Sequence, residues 1–320
     1  MIRVTNNMLV NDLRRNLNTN MRYMDIYQRQ LATGRKINLP SDNPAGLVKS
    51  LRLRTNLTEG AQYINNIGEA INFMETTDSA LNNIGQIIHR VRELTVKASN
   101  TAVNDSGALQ SIADEIKELN DQLKMIANTT YGTKHVFAGS NITEPPYQEG
   151  ANPTPPEDWV GNNNKVELEI AIGVKMPINL TDEDMNFFFT NVMGVDEEGN
   201  DIIEKRGIFA LLDKIVQDIE DTANGVEGAN SIDENITLLD AKMEDLLSSR
   251  SKIGAKVNRL ELQKSRLEST QISYTSLLAQ NEDADMAEVI MQLKMQENVY
   301  RASLAAGARI IQPSLIDFLR

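Results

Sequence analysis

Hydrophobic positions recur every three or four residues along most of this chain, and the recurrence breaks once, in the middle. From 47 to 98 apolar side chains fall at Leu47, Leu51, Leu57, Ala61, Ile64, Ile71, Met74, Leu81, Ile84, Ile88, Val91 and Ala98. That spacing predicts one long amphipathic helix, with many steps close to a heptad repeat. At 1.5 Å per residue such a helix extends ~75 Å. Its stripe is narrow, so it needs partner helices. A shorter stripe follows at Leu109, Ile112, Ile116, Leu119, Leu123 and Ile126, with Asn104 and Asp105 placed as caps and Gly132 as a stop. A third series runs from Ile236 to Leu278 through Leu239, Met243, Leu246, Ile253, Val257, Leu260, Leu267 and Tyr274. Arg250, Lys264 and Gln271 interrupt it, as polar seam residues that fix register do.

Between these series the period changes. Pro145, Pro146, Pro153, Pro155 and Pro156 punctuate the chain, and no helix continues through them. Val166, Leu168, Ile170 and Ile172 then alternate with Lys165, Glu167, Glu169 and Ala171, which is strand periodicity. Pro177, Ile178 and Leu180 suggest a second strand, Phe187 to Phe189 an apolar patch, and Asp196 to Gly199 a turn. Helix resumes at Ile208, with Leu211, Leu212, Ile215 and Ile219 on one face.

The expected fold is mainly α with an inserted β-rich domain. The N- and C-terminal parts of the chain form a long antiparallel coiled-coil bundle. Five segments follow: an N-terminal segment, 1–46; the first part of a helical shaft, 47–139; the β-rich insertion, 140–205; the second part of the shaft, 206–285; and a C-terminal helix, 286–320.

Composition narrows the function. The 320 residues include no cysteine and only two histidines, His89 and His135. Disulfide scaffolds, thiolate metal sites and cysteine nucleophiles are excluded. His89 falls beside the stripe of the long helix, and His135 in the short apolar run HVFAG. No phosphate loop and no nucleophile elbow is present. The acidic triplets at 182–184 and 196–198 lack the alternating ligand pattern of a calcium loop and read as solvated surface. No enzyme, cofactor or metal site is expected. No run of ~18 apolar residues offers a membrane span. The opening MIRVTNNMLV lacks the apolar core of a cleaved leader, so any export would proceed without one.

Charge is segregated. Residues 1–60 carry ten basic and four acidic side chains, whereas 140–205 carry fourteen acidic ones and three lysines. The arginines are interleaved with Leu and Asn rather than with stacking aromatics. This favours a helix face that docks on an acidic partner over nucleic-acid binding.

Two segments carry a resemblance. Residues 31–46 read LATGRKINLPSDNPAG, and the C-terminal segment contains NEDAD followed by an amphipathic helix and Ala305–Gly307. Together they resemble the two ends of the bacterial flagellin family, on Leu31, Thr33, Gly34, Arg35, Ile37, Asn38, Asp42, Ala45, Gly46, Glu282, Asp283, Ala284, Asp285, Ala305 and Gly307. Pro40 and Pro44, the stretch FAGSNITEPPY and the tail IIQPSLIDFLR are similar to the branch of that family that joins hook to filament.

The resemblance implies a structural, non-enzymatic, extracellular flagellar protein. It would be exported unfolded, escorted by an export chaperone, and assembled on a template. Its partners would be identical copies in a ring, the first hook-associated protein on one side and flagellin on the other, with no nucleic acid and no membrane insertion. The terminal helices would stay disordered until assembly. Ordering them costs roughly 1–2 kcal/mol per residue of backbone entropy, which burial among subunits must offset. Leu293, Tyr300, Leu304, Ile311, Leu315 and Phe318 are the expected assembly contacts. A short flagellin and, from another class, a cytoplasmic coiled-coil adaptor are the alternatives.

Overall fold

A computed structural model describes residues 6–100, 106–148, 159–195, 201–224 and 232–311. Its elements are α1 (Asn6–Thr33), α2 (Pro44–Ser99), α3 (Ser106–Ala127), β1 (Thr130–Tyr131), β2 (Lys134–His135), β3 (Glu167–Ala171), β4 (Val174–Pro177), β5 (Val192–Val195), β6 (Asp201–Lys205), α4 (Ile208–Ala223), α5 (Ile232–Glu282) and α6 (Met286–Ile311). All four helical stripes lie on helices with nearly the expected limits. The proposed caps Asn104 and Asp105 and the turn at 196–199 lie outside the described residues.

The chain divides into two compact units. Unit 1 comprises residues 1–61 and 269–320, and unit 2 comprises 62–268. Thus α2 and α5 each contribute to both.

Unit 2 holds the main core. Ile67, Met74, Leu81, Ile84, Ile88 and Val91 of α2 are buried together with Ile116 and Leu123 of α3, Leu211, Leu212 and Ile215 of α4, and Leu239, Leu246, Ile253 and Leu260 of α5. Each helix turns its apolar face inward because its polar positions fall on the opposite face. Helices α2 and α5 run antiparallel. The Arg92 Nε lies 2.6 Å from Asp240 Oδ1 and the Arg250 Nε 2.9 Å from Asp78 Oδ1, so rising numbers on one helix meet falling numbers on the other. Arg250 explains one interruption of the heptad series. Its guanidinium engages both Asp78 oxygens and donates to Asn82 Oδ1 at 3.0 Å.

Among the described residues the β strands form three two-stranded antiparallel hairpins, β1–β2, β3–β4 and β5–β6, rather than one sheet. The expected second strand is displaced. β4 ends at Pro177, while Ile178 and Leu180 are buried beyond it. Gly173, at φ +70°, turns the chain tightly after Ala171 and brings Met176 opposite Leu168. The apolar patch at 187–189 is core. Trp159 stacks on Phe189, which also meets Phe137, Phe188 and Phe209.

The triplet at 182–184 is not wholly solvated, as its composition had suggested. Asp182 is buried and accepts hydrogen bonds from the Phe189 and Thr190 amides and the Thr190 hydroxyl. A buried carboxylate needs such donors, so this residue closes the 182–190 loop. The triplet at 196–198 lies outside the described residues.

The Arg250–Asp78 pair is a measurable register pin. Both side chains are about one-third exposed. A double-mutant cycle with Arg250→Ala and Asp78→Ala, followed by denaturant unfolding, should give a coupling of about 1 kcal/mol. A coupling of zero would leave the seam arginine without a structural role.

Candidate assembly surface

Unit 1 is built around the two motifs from the ends of the chain. Helix α1 ends at Thr33, and Gly34 takes φ +70°, a conformation that favours glycine. The next residues pair with the end of α5. The Lys36 amide donates to Glu282 O at 2.7 Å, the Ala284 amide to Gly34 O at 2.9 Å, and the Lys36 ammonium to Gln280 O at 2.9 Å. Arg35 and Asp283 form an antiparallel bridge.

The loop that follows is held by its own side chains. Asp42 Oδ2 accepts from the amides of Asn38 (3.0 Å) and Leu39 (2.8 Å). Asn43 caps α2 by accepting from the Gly46 amide at 2.9 Å, with Pro44 at the first helical position, where its missing N–H costs nothing. A Cβ on Gly46 would lie 2.6 Å from Ile37 Cδ1, so only glycine lets buried Ile37 pack there unchanged.

The motif from the other end locks onto this loop. Asn281 Nδ2 donates to Gly46 O at 2.8 Å and to Ser50 Oγ at 2.6 Å. Asp285 caps α6, accepting from the amides of Ala287 (2.9 Å) and Glu288 (3.2 Å).

Glu282 is the electrostatic centre. Its side chain is 6% exposed and lies 2.6 Å from the Arg54 guanidinium and 3.6 Å from that of Arg35. Burial alone would push this carboxyl up. Hydrogen bonds from Arg54 and Ser50, with the charges of Arg54 and Arg35, outweigh burial and hold its pKa below the usual carboxylate range.

This junction sets α1 and α6 antiparallel. Residues 34–36 meet 282–284 at one end, and Gly307 faces Leu13 farther along, where a Cβ would collide with the Leu13 side chain. Of the small residues at 305–308, only Gly307 is buried, so it alone provides the close approach.

The expected contacts divide. Leu293 is 8% exposed, turned inward like Val289. Tyr300 is half-buried, and Leu304 is 46% exposed. Ile311 ends α6, but its side chain lies outside the described residues, as do Leu315 and Phe318 entirely. The sequence puts Met286 and Ile290 in one stripe with Val289 and Leu293, and both are exposed; Met291, Met295 and Val299 of α6, which went unread, are exposed too, as are Met8, Leu9, Met21, Tyr23 and Leu31 of α1. The signal was available, because α6 is apolar on more than one side.

The two histidines do not converge. His89 is exposed on α2, and His135 contacts the Asn128 carbonyl at 3.1 Å within the β1–β2 region. Among the described residues, no cluster of three potential ligands could hold a metal, and no helix is long and apolar enough to cross a membrane.

Comparison with known proteins agrees with this architecture. Residues 4–142 match the bacterial flagellin N-terminal helical region, and residues 236–319 match the bacterial flagellin C-terminal helical region. Flagellin of Bacillus subtilis is 26% identical over 97% of both chains. Flagellar hook-associated protein 3 of Escherichia coli is 24% identical over 88% of both. Among solved structures, a flagellar hook-associated protein of Vibrio parahaemolyticus superposes with a TM-score of 0.62 at 17% identity, covering 76% of this chain and 100% of that one. Hook-associated protein 3 of Legionella pneumophila gives 0.58 at 13% identity, covering 71% and 97%. At such identities the structural likeness establishes the fold.

The depressed pKa of Glu282 has a sign. Its stabilisation is fully present above the ordinary carboxylate pKa and is lost as pH falls through the lower folded value. Glu282→Gln should therefore lower the thermal midpoint at pH 7, by an amount equivalent to about 1–3 kcal/mol. It should also flatten the loss of stability on acidification. Circular dichroism melts from pH 7 to pH 3 would check both, and a variant with the wild-type acid slope would contradict the assignment.

Proposed function

The chain belongs to the bacterial flagellin family, whose members are structural proteins of the flagellum, and from that premise we propose that it forms the junction between hook and filament. The observation that carries an assembly role is the antiparallel pair of terminal helices, which leaves apolar side chains uncovered on both members. Such surface on a soluble subunit calls for neighbours. Copies of the chain would surround one another in a ring. The first hook-associated protein would lie on the hook side and flagellin on the filament side. An export chaperone would cover the terminal helices beforehand. The protein would act outside the cell, exported unfolded. No step calls for catalysis, a cofactor or a metal.

Two features support the junction over the filament. One is the relative named hook-associated protein 3, which aligns along most of its length. The other is the local sequence: Pro40 and Pro44 in the loop, FAGSNITEPPY at 137–147, and Gln312–Pro313 near the end. The second reading, a short flagellin, draws on the Bacillus subtilis relative, which aligns over 97% of both chains. The five segments drawn from the sequence, 1–46, 47–139, 140–205, 206–285 and 286–320, remain the proposed functional division. Leu304, Ile311, Leu315 and Phe318 remain proposed contacts with neighbouring subunits. Leu293 and Tyr300 would contribute by holding α6 in place.

Deletion of the gene separates the readings. Bare hooks with monomeric flagellin in the medium are expected from the junction role. Bare hooks without flagellin anywhere would make this chain the filament subunit, and intact swimming filaments in a strain with one copy would exclude both. A point variant tests the surface: Leu304→Asp should leave a soluble helical protein that no longer restores motility to the deletion strain. Swimming at the wild-type level would remove Leu304 from the interface.

A further inference from the structure

Within unit 2, three lysines converge on one carboxylate where the β3–β4 hairpin meets α5. The segment 164–166 is zipped to 178–179, and that places Lys165. The Ile178 amide donates to Val166 O at 2.9 Å, the Val166 amide to Asn179 Oδ1 at 2.9 Å, and Asn179 Nδ2 to Asn164 O at 3.0 Å. The Asp184 amide donates to Thr181 Oγ1 at 3.2 Å, which fixes Asp184 in the 182–190 loop. Lys252 and Lys256 stand four residues apart on α5, so their side chains leave the same face. Lys165 Nζ lies 3.5 Å from Asp184 Oδ1, Lys252 Nζ donates to Asp184 O at 2.7 Å, and Lys256 Nζ donates to Pro177 O at 3.4 Å.

Positive charge thus exceeds negative at this point of a unit whose acidic side chains outnumber its basic ones. An ammonium carries three N–H donors. Lys165 and Lys252 are exposed, and each directs its contact at Asp184 alone, so donors on both remain for an incoming anion. Lys256 differs from them. It is half-buried, its hydrogen bond is long and goes to a neutral carbonyl, and among the described residues no carboxylate pairs with it. Burial is the largest influence on this amine and pushes its pKa below the usual lysine range. The charges of Lys165 and Lys252 act in the same direction, and Asp184 opposes them without prevailing. More of this amine is therefore neutral, and nucleophilic, than of an ordinary surface lysine.

We propose that Lys256 is a covalent modification site for acyl phosphates, whose phosphate group is held by the ammoniums of Lys165 and Lys252. The Nζ lone pair attacks the carbonyl carbon of the acyl group. The bond from that carbon to the phosphate oxygen breaks, the phosphate leaves with its electron pair, and the proton lost from Nζ goes to it. The products are an amide on Lys256 and inorganic phosphate. The phosphate selects the donor, because charge-assisted hydrogen bonds from ammonium groups to phosphate oxygens are the strong ones. The acyl carbon, next to that phosphate, is then delivered to the one amine of the three that is not paired with Asp184. The amide carries no charge, so acylation removes a cation from the contact between α5 and the hairpin. The step needs nothing from the junction role.

Acetyl phosphate is the probe, with the exposed Lys49 and Lys97 as internal references. Folded full-length protein would be incubated with it and digested, and acetylation at each lysine would be followed by mass spectrometry. Lys256 should react about tenfold faster than the references, the low end of what a cleft of one charge sign does to local counter-ion concentration. Its rate should saturate with acetyl phosphate and fall when inorganic phosphate is added, while rates at Lys49 and Lys97 stay proportional to concentration. It should also level off at a lower pH than theirs, because burial, Lys165 and Lys252 together outweigh Asp184. In urea the advantage should vanish. A Lys256 that reacts no faster than the references, or that keeps its advantage in urea, would overturn the modification site. An advantage that neither saturates nor responds to phosphate would overturn the part given to the lysine pair. Lys165→Gln with Lys252→Gln should abolish saturation, and Lys165→Arg with Lys252→Arg, which keeps both charges, should preserve it. Saturation in the glutamine pair, or its loss in the arginine pair, would also count against the phosphate site. These rates are read on isolated protein, so a failure of the junction reading leaves them unchanged, and their failure leaves that reading unchanged.

Discussion

A buried carboxylate held by two arginines ties the beginning of this chain to its end. Glu282 closes α5, and Arg35 and Arg54 reach it from either side of the 34–46 loop. The ion pairs alone would be a weak tie, since both arginines are substantially exposed. Its strength comes from the backbone bonds around it: Lys36 to Glu282, Ala284 to Gly34, Asn281 to Gly46. Removing the carboxylate would leave the guanidiniums without the acceptor around which this set is organised. Joining residues so distant in sequence costs loop-closure entropy, but that cost grows only logarithmically with separation. A handful of well-placed hydrogen bonds can therefore hold two chain ends together. The direction of α1 relative to α6, and so which faces they leave bare, follows from this knot.

The helices were legible in the sequence because each has a single buried face, and a single buried face leaves a periodic trace. Ile84, Ile88 and Val91 of α2 are all buried, at the positions the spacing marked. Strand limits were less legible. Ile178 and Leu180 look like a strand because they are apolar and alternate, yet they are buried after the hairpin has ended. Periodicity reports burial, not backbone pairing, and a turn at Gly173 decides the pairing. Asp182 was misread for a related reason. Composition gives an acidic residue a solvated prior, and only the fold supplies the two amides and the hydroxyl that let it be buried.

The assembly motifs present another case. Their residues were visible as a resemblance, but their roles were not. Asp42, Asn43, Asn281 and Asp285 all act on backbone groups, as loop locks, caps or clasps. Such roles need short polar side chains at fixed places and leave no period. Gly307 shows the intermediate situation. Its alanine-rich neighbourhood suggested close approach, but only the packing against Leu13 distinguishes it from Ala305, Ala306 and Ala308. Met291, Met295 and Val299 of α6 were obscured because they lie off the stripe that runs through Val289 and Leu293, and those two are the residues turned inward.

Charge and apolar surface act against each other in this chain, and the balance bears on when copies associate. Unit 1 contains 14 basic and 10 acidic side chains, whereas unit 2 contains 18 basic and 35 acidic ones, a net charge of −17. The exposed apolar side chains of α1 and α6 favour association wherever they meet. The acidic unit opposes it, because like-charged bodies repel on approach. Screening confines that repulsion to about 8 Å at physiological salt, so it acts only when surfaces are nearly in register. Two free copies in solution would cover only part of that apolar surface. On the proposed assembly role, a copy arriving at an existing assembly would cover more of it at once. On that role, the same distribution of charge that opposes contact in solution would direct association to a growing end.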